Sequence, residues 1–399
     1  MAFLYVNSKG TQWRRHSYSA GQDFDFSPLK YYLRRVQGWK EIDNKARLLF
    51  GRAVEQAVQF YHEHDGSGGR EEFHRLWEIF KDRNDLVYTR TEKDWTTLDA
   101  DGDDLLRLYS IRQPSLPIPL RGQIIFQREV SKEVFPGDAN YGEIEDAGKL
   151  DMICWTDPTH PMLPRLEWKP EYGMLRPLIV DMKTSGRGYP EEQGMAAFDE
   201  QLRRYSWLSG IHDVAFVVFV KVGRKLQKGS SVTLLEGVGT YKAGDEAVIA
   251  RVDGENSWIV RNDYELEQMS AAQGEKNDKT DQTKAAKERA QAWLETNGFR
   301  VHSGYLTRQR LQFNAGFVTT DSQLDAGQIC ATQIVGIVNA WKTKKWPNKF
   351  GIRFPHDNRS DPYFQAFVLK DEAFRKENFV KTDEDSMNDL FEDEVEAEE

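Results

Sequence analysis

From Lys45 to His64 the apolar positions Phe50, Val54, Ala57, Val58 and Tyr61 recur every three or four residues, the spacing of one face of an α-helix. An earlier helix start is marked by "FSPLKYYLRRV", with Ser27 able to cap free amides and Pro28 at the first helical position. Glycines in "GSGG" at 66–69 break the pattern, and residues 70–84 and 92–109 resume it. The first third is therefore predicted to be mainly helical. "PSLPIPLRG" changes the texture, and "QIIFQREV", "GKLDMICWT" and "PLIVDMKT" read as short strands bounded by glycine, proline or charge. Residues 190–210 predict a helix stopped at Gly210, and "VAFVVFVKV" is an unbroken apolar run of the kind buried on both sheet faces. Strand, strand, helix, strand gives a mixed α/β core between about 120 and 222. Beyond it lie strand-like pieces over 232–262, a polar helix near 280–296 and a more apolar one near 323–342.

Composition narrows the setting. With 399 residues, 39% hydrophobic and 30% charged, the chain can hold two domains or one large core with insertions. No internal repeat is present. No apolar run approaches the roughly 18 residues of a membrane span, so no membrane partner is expected. The start turns polar after about six residues, too short for a secretory signal, which predicts a cytoplasmic protein. Cys154 and Cys330 stand far apart with no CxxC and no neighbouring histidine, so neither a disulfide framework nor a zinc or iron–sulfur site is expected. Asp383 to Glu399 carry ten acids and no base, which accounts for the whole net charge of −10. Such a block reads as a solvated, disordered tail. Alternatively, Leu390 and Phe391 mark a docking peptide, or the tail mimics nucleic acid. The remaining body is near neutral, so a polyanionic partner is not excluded.

The candidate chemistry lies at the end of "LIVDMKT". Asp181 and Lys183 share strand parity and so project from one face, where Asp151 of "GKLDMI" can join them if the strands pair. Two converging carboxylates suit a hard cation such as Mg²⁺ or Mn²⁺. A lysine beside them can orient or deprotonate a water. That set is the arrangement expected for metal-assisted phosphodiester hydrolysis; taken alone, the D-x-K triplet reads equally as a strand-end ion pair or a solvated face.

Five segments in order, "FSPLKYYLRR", "FGRAVEQAVQFY", "GKLDMI", "LIVDMKT" and "QLRRYSWLSG", resemble the PD-(D/E)XK nuclease superfamily, in the branch of the RecB nuclease domain and phage recombination exonucleases. The resemblance implies a restriction-endonuclease-like core over 116–225. Before it would come an N-terminal helical region, 1–115, contributing Glu55, and after it a C-terminal α+β extension, 226–380, and the acidic tail, 381–399. It implies Glu55, Asp151 and Asp181 as metal ligands with the Met182 carbonyl assisting, and Lys183 as catalytic base or water-orienting group. Gln201 and Tyr205 would hold the DNA backbone or a metal-bound phosphate. Many members carry histidine where Glu55 stands. Those with an iron–sulfur cluster have four C-terminal cysteines, and this chain has two. A long insertion separates Asp151 from Asp181, and no Walker A pattern is present.

The expected function is a Mg²⁺-dependent deoxyribonuclease, an exonuclease rather than an endonuclease, in phage or bacterial recombination or repair. Its partners would be DNA and a single-strand annealing protein, in a bacterial cell or phage-infected host. The competing expectations are a catalytically silent DNA-binding or scaffold protein and a defence-type endonuclease. "AWKTKKWPNKFGIRF" interleaves Lys342, Lys344, Lys345, Lys349 and Arg353 with Trp341, Trp346, Phe350 and Phe354. It reads either as a phosphate-contacting and base-stacking surface or as a helix end followed by a packing loop. Arg187, in "SGRGYP", either contacts phosphate or sits in a turn.

Overall fold

The computed structural model describes residues 5–6, 12–42, 45–83, 86–88, 94–135, 144–164, 175–189, 194–273, 280–349 and 361–381. Two short strands, β1 (Tyr5–Val6) and β2 (Gln12–His16), come first. They lead into α1 (Tyr18–Phe26), whose cap Ser17 accepts a hydrogen bond from the Ala20 amide. α1 buries little beyond Ala20, Gly21 and Asp23, which is why no apolar stripe announced it. Pro28 opens α2 (Pro28–Tyr31), as its fixed φ favours, and the helix continues as a π-turn over Tyr32–Val36. Ser27 caps no helix amide; its hydroxyl instead accepts the Lys349 amide at 3.4 Å. β3 (Trp39–Glu41) precedes three helices, α3 (Ala46–Glu63), α4 (Gly69–Glu78) and α5 (Trp95–Arg112). The 3.6-residue pattern read in α3 is the face it buries.

Next come β4 (Ile124–Phe135), β5 (Ile144–Thr156) and β6 (Arg176–Ser185), with β4 and β5 longer than their apolar runs because they pair along almost their whole length. The predicted helix over 190–210 is divided. A 3₁₀ turn at Met195–Phe198 ends at Asp199, which then caps α6 (Glu200–Ser209) by accepting the Leu202 amide. Gly210, at φ 74°, stops α6 as expected. β7 (Asp213–Val220) is buried along its whole length. A second unit contains β8 (Ser231–Leu234), β9 (Glu246–Asp253), β10 (Asn256–Val260), α7 (Asp263–Gln273), α8 (Thr280–Asn297), β11 (Phe299–His302) and β12 (Leu306–Thr307). β13 (Arg310–Phe317), α9 (Thr320–Thr343), α10 (Glu372–Asn378) and β14 (Phe379–Lys381) complete the described chain. The acidic stretch from residue 382 onward, Phe350, Arg353, Phe354 and residues 165–174 of the insertion lie outside the described residues.

The fold is mixed α/β with mixed sheets. The main sheet runs β1-β2-β5-β6-β7-β13, with β4 also on β5. β2 and β6 run parallel to β5 and β7 respectively, and β4–β5, β5–β6 and β7–β13 are antiparallel. Its edge strands come from both ends of the chain, so the sheet is not confined to 116–225. α3, α4 and α5 cover one face, with Phe50, Val54, Met152, Val180 and Val217 in one core. α6 covers the other, with Leu150, Ile179, Leu202, Tyr205 and Val218. The second unit is a five-stranded antiparallel sheet, β11-β10-β9-β8-β12. A small ribbon pairs β14 with β3. Among the described residues no helix is long and apolar enough to cross a membrane.

One buried ion pair joins the first residues of β6 and β7. Arg176, fully buried, forks onto both carboxylate oxygens of Asp213, which is 5% exposed. Removing one member strands the other charge away from water, and a broken buried pair costs about 3–5 kcal/mol. Asp213→Ala should lower the unfolding free energy by that much, read from the urea midpoint at unchanged slope, whereas replacing both residues by apolar ones should lose less.

Candidate active site

β5 has three strand partners but only two edges. β4 takes one edge from Ile144 to Cys154, so β2, at Ile144–Asp146, and β6, at Met152–Thr156, share the other. Between them the sheet forks. The β5–β6 ladder stops at Met152↔Val180, and the Met182 amide donates to the Asp151 side chain (Oδ2, 2.9 Å). A side-chain acceptor has replaced the next backbone one.

Strand parity changes at the same point. Met152 and Cys154 pack on the α3 side, while Leu150 packs on the α6 side. On β6 the alternation is regular, with Val180 and Met182 facing α3 and Ile179 facing α6. Asp181 and Lys183 therefore share one face, as their spacing predicts. The Lys183 ammonium lies 2.7 Å from Asp181 Oδ2.

α3 supplies Glu55 to the same cluster. It crosses β6 closely at Gly51, where an added Cβ would lie 3.0 Å from Thr184 Oγ1. One turn later Glu55 meets the field of Asp151 and Asp181 and accepts a hydrogen bond from Gln127 Nε2 of β4. From α6, Gln201 Oε1 accepts from Lys183 Nζ at 3.3 Å, and Gln201 Nε2 donates to the Tyr205 hydroxyl at 2.7 Å. Tyr205 lies against Gly148, whose added Cβ would fall 2.6 Å from its ring. The structure thus brings together Glu55, Asp151, Asp181, Met182, Lys183, Gln201 and Tyr205. A cleft of about 680 Å³ opens from Gln201 and Tyr205 along Gly148 and Lys149 to Tyr18, Tyr31 and Arg35.

Burial dominates the electrostatics. It raises Glu55 to about 7, reinforced by the charge of Asp151 and opposed by the Gln127 hydrogen bond. Burial also raises Asp181 to about 7 against the pull of Lys183, and raises Asp151 against the Met182 amide and Lys183. Burial works against the Lys183 charge, but Asp181 and then Asp151 hold its pKa above the ordinary lysine range. Lys183 is accordingly a cation at neutral pH. Tyr205 is pushed up to about 12 by burial.

Asp181 is 1% exposed, and beyond its ion pair with Lys183 its carboxylate oxygens accept no hydrogen bond from a backbone amide or neutral side chain among the described residues. A buried carboxylate with one cationic partner, beside two more carboxylates, fits a hard divalent cation. Glu55, Asp151, Asp181 and the Met182 carbonyl are the groups that would hold it. Among the described residues the group with histidine, cysteine or carboxylate donors all within 4.8 Å of one another lies elsewhere, at His16, Asp146 and Cys330. The Arg204 guanidinium already forks onto Asp146 and donates to His16 Nδ1, so the cationic position there is filled by the protein itself. That cluster also shows a histidine beside Cys330 that sequence distance concealed.

Outside the cluster, Arg187 is exposed beyond β6, its amide bonded to Ser185 Oγ. Lys342, Lys344 and Lys345 are exposed at the end of α9. Trp346 stacks on Tyr31 and Tyr32 at 5.9 and 5.2 Å and meets Trp341 edge-on. That ring packs against α2, the π-turn and α9. Sequence reasoning missed Gln127 and the cleft residues Tyr18, Arg35 and Lys149. Lys149 adjoins Gly148 in "GKLD" and could have been found there, whereas nothing in "IIFQREV" marks Gln127. No protein-family model matches the chain, and no curated protein matches its sequence.

A carboxyl whose pKa is higher in the fold than in the unfolded chain contributes stability that is full at low pH and lost as pH rises through the folded value. For Asp181 that window runs from about 4 to about 7. In EDTA, the wild-type melting temperature should fall between pH 5 and pH 8. Asp181→Asn should lose less over the same interval and be the more stable protein at pH 8, by on the order of 2 kcal/mol. Parallel melting curves at the two pH values would check this.

Proposed function

We propose that the chain is a metal-dependent DNA nuclease built on a restriction-endonuclease-like core of the PD-(D/E)XK kind. The observation that carries the reading is the buried Asp181 carboxylate at a sheet fork, paired with Lys183 and in the field of Asp151 and Glu55. The order β4-β5-β6-β7, with α3 on one face and α6 on the other, supports the core assignment. Mg²⁺ or Mn²⁺ bound there would polarise a phosphoryl oxygen and acidify the attacking water.

The chain's own groups take the remaining roles. Lys183, held as a cation by Asp181, orients the water and offsets the negative charge that gathers on the phosphorane-like transition state. Its protonated state favours that role over general base. Gln201 fixes the lysine from the α6 side and is itself held by Tyr205, leaving both beside the cleft where a phosphate backbone would lie. Exonuclease action in recombination or repair, with a single-strand annealing protein as partner, is favoured by family resemblance alone.

The test is digestion of end-labelled linear duplex, linear single strands and closed circles with Mg²⁺, Mn²⁺ or EDTA. Linear DNA should be degraded and circles spared. Asp181→Ala should bring the rate to the EDTA background, and Lys183→Ala should lower it by about 10²–10³-fold. Nicked circles would move the activity to endonuclease. DNA binding with no cleavage under any metal would favour a silent module.

The exposed lysines after α9 give a second prediction. Lys344→Glu with Lys345→Glu should weaken DNA binding and reduce the slope of log K against log salt by about two, if each ammonium meets one phosphate. An unchanged slope would leave the segment as a helix terminus only. Trp346→Ala should act on stability rather than on the salt slope, because its ring is already stacked.

A further inference from the structure

Gln127 has φ +51°, a left-handed backbone in the middle of a strand. Side chains with a Cβ avoid that region, and where one is held there the surroundings must impose it. The position of the kink is specific. The β4–β5 ladder passes from Phe126↔Met152 to Arg128↔Leu150, so Gln127 stands opposite Asp151 and the two are left unpaired between ladder rows.

Both strands change parity there. Ile124 and Phe126 pack on the α3 side, while Val130 packs on the α6 side, mirroring the switch between Met152 and Leu150. In a regular strand the residue after Phe126 would point away from α3. The kink turns the Gln127 side chain back toward α3 instead, where its amide donates to Glu55 Oε1. Glu55 is the helix-borne member of the cluster, and among its described contacts this is its only hydrogen bond.

We propose that Gln127 is a positioning residue whose left-handed backbone exists to aim its amide at Glu55, fixing that carboxylate for a divalent cation shared with Asp151 and Asp181. The inference rests on the metal-dependent reading of the site. An amide donor to one carboxylate oxygen selects which oxygen remains for the metal, and partners of this kind typically govern affinity by 10- to 100-fold.

The experiment uses the full chain and two readouts, Mn²⁺ titration calorimetry and thermal melting. Gln127→Gly accepts positive φ without strain, so it should melt at or above the wild-type temperature. Its Mn²⁺ Kd should nevertheless rise about 10- to 100-fold. In a Glu55→Gln background the same change should add nothing, because the residue it acts through is gone. Gln127→Asn, which tolerates the left-handed region but is one methylene short, should fold and bind Mn²⁺ as weakly as the glycine variant.

Wild-type Kd in Gln127→Gly, or an equal further loss in the Glu55→Gln background, would overturn the proposal while leaving the nuclease reading standing. A lowered melting temperature with Kd unchanged would make Gln127 structural and also overturn it. Wild-type protein that binds no Mn²⁺ would remove the metal reading of the site and this inference with it.

Discussion

The hydrogen bond from the Met182 amide to Asp151 Oδ2 decides where β6 leaves β5. Were the ladder to continue, Met182 would pair with Leu150 and the two strands would close. Because a carboxylate ends the pairing, β5 keeps an uncovered edge between its contacts with β6 and β2. The cleft floor at Ala147, Gly148 and Lys149 is that edge. Tyr205 can lie on it only because residue 148 lacks a Cβ. The same departure lets acids on neighbouring strands approach α3 and α6 together, which a regular pleat would prevent.

Charges elsewhere in the core are treated differently. Arg176 with Asp213, and Arg204 with Asp146, are buried pairs in which the guanidinium forks onto both oxygens of its carboxylate. At the fork three carboxylates lie in one another's field, and the Lys183 ammonium pairs with Asp181. Left to itself, such an arrangement opposes folding. It is tolerated because two apolar cores pack directly above and below it, from Phe50 and Val54 on one side and from Leu202 and Val218 on the other. Stability drawn from those cores offsets the local cost of the crowded acids.

How much was legible in the sequence depended on whether the signal was local. The α3 stripe, the all-apolar β7, Gly210 as a stop and the Asp181–Lys183 parity each follow from periodicity or backbone chemistry within a few residues, and each is present. α1 escaped because it is held by a serine cap and by side-chain contacts rather than by an apolar stripe. The split at Asp199 escaped because a cap and a helix-interior acid look alike without the structure around them. Gln127 was invisible for a stronger reason. Its surroundings are β5 and α3, more than twenty residues away on one side and seventy on the other, and no residue type at 127 signals its φ. The parity argument for Asp151 reached the right neighbours although β5 changes parity at that residue, since the alternation was read only from the side that stays regular.

β13 lies antiparallel along all eight residues of β7, yet the chain between them, residues 221–309, builds a separate sheet. The two crossing points are tied to each other, with the Val222 amide donating to Gln309 Oε1 at 2.7 Å, and Gln309 Nε2 reaching Asp101 of α5. The second sheet is thus an insertion whose ends meet, and the main sheet is sealed by a strand made almost ninety residues after its partner. On a ribosome, β7 emerges with one edge bare and stays so while the whole inserted unit is synthesised. Closing that edge waits on a long loop, the kind of distant contact that slows folding. An exposed run as apolar as "VAFVVFV" is, over that interval, the part of this protein most open to pairing with another chain.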